Sequence, residues 1–139
     1  MTDQLIVSLL VDIAYSWIRM SLALILSIIF SWAVGIAAAR NRTANKIIIP
    51  ALDVLQSIPI LGFFPIVLVV FVALFPGWIG INIAVIFLIF TSMSWNIAFA
   101  VYEAVLSIPQ EYFDLASMEK LGLWRRLTEL YIPASWSKV

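Results

Sequence analysis

"VLQSIPILGFFPIVLVVFVALFPGWIGINIAVIFLIFTSMSWNIAFAVY", residues 54–102, contains no Asp, Glu, Lys or Arg. Such a run is too long for one membrane crossing, which takes about 20 apolar residues. The stretch "FPGWIGIN" (75–82) interrupts it with Pro76, Gly77 and Gly80, the residue types that end helices and permit a tight turn. The run therefore supplies the bodies of two spans, at about 50–75 and 79–102. Upstream, "MSLALILSIIFSWAVGIAAA" (20–39) is also uncharged. At about 1.5 Å per residue it covers roughly 30 Å, the thickness of the hydrocarbon core. It forms the main part of a first span at about 14–39. The leading "MTDQLIVSLLVDIAYSW" carries Asp3 and Asp12 but no Lys or Arg, unlike a cleaved secretory signal, and reads as the lead-in to that span.

Composition agrees with a membrane protein. Hydrophobic residues make up 64% and charged residues 12% of 139 residues, and the mean hydropathy is +1.09. A soluble domain of this size leaves too much surface in water to hide that content. A net charge of zero offers no footprint for nucleic acid. The chain has neither Cys nor His, so disulfides, thiolate metal sites and the commonest general base are excluded. An intramembrane enzyme would need converging ionisable groups, and residues 54–102 supply none. No catalytic residue, cofactor or metal site is expected.

Basic residues set the orientation. Of the eight Lys and Arg, Arg40, Arg42 and Lys46 follow the first span, and Lys120, Arg125, Arg126 and Lys138 follow the third. Two crossings separate these groups, so they share a side, and the positive-inside rule makes that side cytoplasmic. The expected arrangement has the N-terminus outside and cytoplasmic loops at 40–47 and 103–139. The chain stops at "PASWSKV", just past a proline that follows a helical pattern, so a further element is expected beyond it.

The second loop is amphipathic. In "SIPQEYF", Ser107 reads as an N-cap, Gln110 as its capping-box partner and Pro109 as a first-turn residue. Glu111 and Asp114 suit the positive end of the helix dipole. The helix is expected to run to Leu121 with Gly122 as its C′ residue. A second stretch follows, with Trp124, Leu127, Leu130 and Tyr131 apolar, and Pro133 limits it. Physics alone leaves two readings: helices lying on the inner leaflet, or a docking element for a soluble partner.

The stretch "DLASMEKLGLWRRLTELYIPAS" (114–135) resembles the cytoplasmic coupling loop of binding-protein-dependent ABC importer permeases. That pattern runs Glu-Ala-Ala, then a glycine, then a closing Leu-Pro. Asp114-Leu115-Ala116 stands for the start and Ile132-Pro133 for the end, while Lys120 occupies the glycine position and Gly122 comes two residues later. The resemblance extends to "AARNRTANK", "LQSIPILGFFP" and "SIPQEYFDLA", which covers nearly the whole chain. It is nearest to the nitrate, sulfonate and taurine branch, or to anion permeases with a duplicated unit.

The resemblance implies a five-span-type permease core of which this chain holds three transmembrane helices and the coupling helix, with two further spans beyond Val139. It implies a prokaryotic inner or plasma membrane and three partners: a cytoplasmic ATP-binding subunit, a second permease copy or half, and an extracytoplasmic substrate-binding protein. ATP hydrolysis would belong to the partner. Asp114, Ala116, Lys120, Gly122, Leu123, Trp124, Arg125 and Pro133 become the ATPase-docking candidates. A membrane scaffold or assembly protein recruiting some other cytoplasmic partner is the alternative.

Polar residues within the spans have two readings each. Thr91, Ser94 and Asn96 in "TSMSWN" either bond neighbouring helices or help line a translocation path. Gln56 and Ser57 pose the same choice. Arg19 either snorkels to the outer interface or meets an anionic substrate at the outer mouth. Pro59 and Pro65 each remove a backbone donor and are candidate kinks.

Overall fold

The computed structural model describes residues 2–136. Lys138, counted among the inner basic residues, and the side chain of Asp3 lie outside the described residues. Helix α1 (Thr2–Arg40) is followed by α2 (Arg42–Ser57), α3 (Ile60–Leu74) and α4 (Trp78–Leu106). Then come α5 (Gln110–Met118), α6 (Leu123–Arg126), a π-helical turn (Leu127–Tyr131) and α7 (Ile132–Trp136). The protein is an all-α membrane protein. Among the described residues, α1 and α4 are each long and apolar enough to cross a bilayer, and α2 with α3 make a third span if the broken pair is one crossing.

Helix α1 starts earlier than the expected span because residues 2–19 contain no Pro or Gly to stop it. The expected loop at 40–47 shrinks to Asn41. Its Oδ1 accepts hydrogen bonds from the backbone N–H of Thr43 (2.9 Å) and Ala44 (3.3 Å), so it caps α2 directly after α1 ends. The two prolines behave differently. Pro59 is extended (φ −62°, ψ 128°) and stands at the break before α3, whereas Pro65 is carried inside α3. The turn before α4 falls at residues 75–77, with Gly77 at φ 80°, a conformation open to glycine without steric cost. Gly80 is fixed by crowding, since a Cβ there would strike the backbone oxygens of Phe75 and Phe71.

The chain divides into two units, Met1–Ser27 with Ile58–Met93, and Ile28–Ser57 with Ser94–Val139. In the first, the α1 and α4 backbones approach through small side chains. Ala23, Ser27 and Ala84 are fully buried, and Ser27 Oγ donates to Ala23 O (2.8 Å) and Phe90 O (3.3 Å). Arg19 joins the same unit: its Nη1 donates to Asn82 Oδ1 at 3.2 Å and its Nε to Tyr15 O at 3.2 Å. Tyr15 meets Trp78 edge-on at 5.9 Å.

In the second unit, Ser31 Oγ donates to Ser94 O at 2.9 Å. Gly35 lies so close to α4 that an added Cβ would be 2.8 Å from Ala98 O and 2.9 Å from Val101 Cβ. In each unit higher α1 numbers meet higher α4 numbers, at a sequence separation of 63 for both Arg19–Asn82 and Ser31–Ser94. Within each unit the α1 and α4 stretches therefore run parallel, as Ser27 against Phe90 in the first and Gly35 against Ala98 in the second also show. The second unit also holds a core of Val101, Val105 and Tyr131, surrounded by Trp32, Ile36, Ile97, Ile108, Phe113, Leu127 and Leu130.

Candidate docking segment

Residues 107–136 hold most of the expected site. The expected capping box does not form: Ser107 Oγ donates back to Ala104 O at 2.7 Å, and Pro109 takes the N-cap position with no side-chain cap. Proline's fixed φ already suits the entry to a helix, so the serine is not needed there. Gln110 Nε2 reaches Asp114 Oδ1 at 3.4 Å instead.

The end of α5 corrects the expected boundary. The helix stops at Met118, and Lys120 is left-handed, with φ 50°. Lys120 N–H donates to Ser117 O (3.1 Å) and Leu121 N–H to Ala116 O (3.0 Å). This is a Schellman closure with Lys120, not Gly122, at C′. Gly122 has φ −64° and ψ 162° and precedes α6 as its N-cap. Arg126 completes the turn, its Nε donating to Leu121 O (3.1 Å) and its Nη2 approaching Ala116 O (3.4 Å). A cation thus faces the carbonyl end of α5, where the helix dipole favours positive charge.

Pro133 does not limit the second stretch. The helix continues from α6 through the π-helical turn into α7 and past Pro133. The wider turn just before the proline is the kind of adjustment that makes room for its ring and missing N–H. Ser135 Oγ donates to Tyr131 O at 2.9 Å within it.

The segment has two faces. Phe113, Leu127, Leu130 and Tyr131 turn toward the C-terminal ends of α1 and α4, with Tyr131 buried and packed on Val101 and Val105, and Ala116 is buried as well. Leu115, Met118, Leu123 and Trp124 turn outward, Leu123 being 82% and Trp124 76% exposed. The expected docking residues therefore separate: Asp114, Lys120, Gly122, Leu123, Trp124, Arg125 and Pro133 are exposed, while Ala116 is buried. Part of Trp124 also lines an apolar groove of about 520 Å³ with Ile29, Trp32, Ile36 and Leu127.

The polar residues of the spans also separate. Thr91 and Ser94 are buried; Thr91 Oγ1 donates to Leu88 O and Ser94 O receives Ser31. Asn96, Gln56 and Ser57 are exposed, and Ser57 Oγ donates to Asp53 O at 2.7 Å. Among the described residues no group of three His, Cys, Asp or Glu could hold a metal ion.

Sequence reasoning missed two contacts. Asn45 Nδ2 donates to Tyr102 Oη at 2.7 Å and to Ala38 O at 3.2 Å, tying the start of α2 to α1 and α4. Arg40, read only as a topological charge, stacks on the Phe113 ring, with Cζ 4.4 Å from its centroid. An amide and an arginine beside long apolar runs were the available signals, but their partners are remote in sequence.

The family described as "Binding-protein-dependent transport system inner membrane component" matches residues 31–139. Two curated relatives, bicarbonate transport system permease proteins CmpB of Synechococcus elongatus and of a second Synechococcus strain, are each 32% identical over 103 residues. The match takes in 74% of this chain and 34% of either relative, so the chain spans about a third of their length. No solved structure matches the chain.

Proposed function

The chain belongs to the family of binding-protein-dependent transport system inner membrane components, and from that premise we propose that it is a permease segment of an ATP-driven importer whose coupling surface lies within residues 110–133. The observation that carries this is the two-faced segment. Its inner face is anchored on α1 and α4, and its outer face presents Leu123 and Trp124 to solvent, flanked by Lys120 and Arg125. Large apolar side chains held out at the end of a rigid turn fit a groove on a soluble partner, and aromatic anchors supply most of the energy of such contacts. ATP hydrolysis belongs to that partner. The binding protein named in the family's description and a second permease half complete the assembly. On this reading the segment lies on the cytoplasmic side of a prokaryotic inner membrane with the N-terminus outside, an orientation that the positive-inside rule supports.

The solute class is proposed to be a small inorganic anion, with bicarbonate, the solute in the relatives' names, as the first to test. Asn96, Gln56 and Ser57, exposed on their helices, are the path-lining candidates. The burial of Thr91 and Ser94 favours a packing role for those two.

The test is co-purification of the full-length permease with its ATP-binding subunit, in parent form and as Trp124→Glu. The parent is expected to retain the subunit and the variant to lose it. A parent that retains none overturns the coupling reading, and a variant that retains it fully moves the docking surface elsewhere. Orientation is tested separately, because the chain has no native Cys: a cysteine at Gln4 should react with an impermeant thiol reagent from outside, and one at Glu119 should not.

A further inference from the structure

We propose that Arg40 is the positioning residue that fastens the docking segment to the transmembrane helices, a role that rests on the coupling reading above. Arg40 is the last residue of α1. An arginine at the end of a membrane helix ordinarily extends toward water and phosphate. Here its guanidinium carbon lies 4.4 Å from the centroid of Phe113 and 5.9 Å from that of Tyr131. The two rings are themselves 6.2 Å apart at 40°. One flat cation therefore touches α5 through Phe113 and the π-helical turn through Tyr131, and Tyr131 is packed on α4.

Within α5 the other side chains are exposed, save Phe113, which is half-buried, and Ala116, which is buried. A force applied to the outer face of α5 at Leu115 or Met118 thus has Phe113 as its main side-chain route inward. Guanidinium keeps its charge throughout the accessible pH range and stacks flat on aromatic faces. The fastening's geometry is therefore stiffer than an ammonium would give.

A charge that only sets topology would predict something different. Phe113→Leu removes the ring and leaves every charge in place, and Arg40→Lys keeps the charge and loses the planar guanidinium over the ring. The experiment uses the full-length permease with spin labels on Lys46→Cys and Glu111→Cys, both exposed. Arg40→Gln and Phe113→Leu are expected to broaden the label–label distance distribution alike, and the double variant to broaden it no further. Arg40→Lys should be intermediate, and Arg42→Gln should match the parent. Co-reconstituted with the ATP-binding subunit and binding protein, with bicarbonate as the probe solute, Arg40→Gln should retain the subunit but hydrolyse several-fold more ATP per solute imported. A Phe113→Leu distribution identical to the parent overturns the proposal. So does an Arg40→Lys variant indistinguishable from the parent while Arg40→Gln differs. If the parent binds no ATP-binding subunit, the coupling reading fails, while the label distances still decide whether Arg40 fastens α5.

Discussion

The seam between α1 and α4 and the anchoring of residues 110–136 are held together by opposite means. Along the seam the buried residues are small: Ala23, Ser27, Ser31, Ala84, Ser94 and Ala98 are each fully buried. Residues 110–136 are held by large ones, Tyr131, Phe113, Leu127 and Leu130, with arginines laid over rings and carbonyls. The difference follows from the solvent. In lipid, burying an apolar side chain gains little, because the tails are as apolar as the protein. Close backbone approach and interhelical hydrogen bonds hold helices together there. Where water reaches, aromatic area is expelled from it and large side chains become the adhesive. Adding bulk should therefore break the seam, and removing bulk should break the anchor.

The largest effect is expected at Gly35. A leucine there meets the backbone oxygen of Ala98 at 2.8 Å and Val101 on the same side, and a backbone atom cannot swing away as a side chain end can. Gly35→Leu should cost more than about 3 kcal/mol, read as a collapse of the thermal midpoint in detergent and loss of the monodisperse peak. Gly62 is the matched control, because nothing lies within 4 Å of a Cβ built on it. Gly62→Leu should leave both readouts at the parent's value. If the two variants behave alike, close packing is not what holds the seam.

Tyr131→Ala probes the anchor by the reverse operation. Deleting a buried ring from the Val101–Val105 core should cost about 3 kcal/mol, but locally. Hydrogen exchange should accelerate across residues 110–136 while the middle of α1 and α4 stays protected. A uniform loss of protection would mean that seam and anchor unfold together. A smaller effect is expected for Ser31→Ala, which removes one hydrogen bond to Ser94 O but keeps the close approach. Bonds of this kind in membranes average about 0.6 kcal/mol, so its midpoint should fall only slightly.

The apolar spans were more legible in the sequence than the anchor. Charge-free runs with a Pro-Gly interruption at 76–77 mark α1, α4 and the turn before α4, because span length and helix breaking are local properties. The break at Pro59 was legible as a candidate kink for the same reason. Pro65 offered the same signal but sits inside α3, so proline alone did not choose between them. The two faces of the docking segment were not legible. Trp124, Leu127, Leu130 and Tyr131 read as one apolar set, and only three-dimensional packing sends Tyr131 inward and Trp124 outward. Arg40 over Phe113 joins residues far apart in the chain, a pairing that no local pattern encodes. The cap at Asn41 is the exception among the misses. An Asn two residues before Thr43 is a local signal, hidden by reading the basic residues around it as a loop.

The smallest expected effect lies at the turn that closes α5, and it alone has a stabilising sign. Sequence pattern assigned the turn to Gly122, the nearer glycine, whereas the left-handed residue is Lys120. A side chain with a Cβ adopts that conformation at a cost of about 1–2 kcal/mol, which glycine escapes while losing more backbone freedom on folding. The two terms oppose, and the relief of strain should win by about 0.5 kcal/mol. Lys120→Gly is therefore expected to slow exchange at the Lys120 and Leu121 amides, the donors of the Schellman closure. Gly122 has φ −64° and open space around its Cβ position. Gly122→Ala should accordingly leave those amides unchanged, so the pair separates the two glycine assignments directly. Were Gly122→Ala to loosen the closure and Lys120→Gly to leave it alone, the turn would belong to Gly122 after all. The arginine that caps α5, Arg126, would then be bonded to carbonyls held by a different residue.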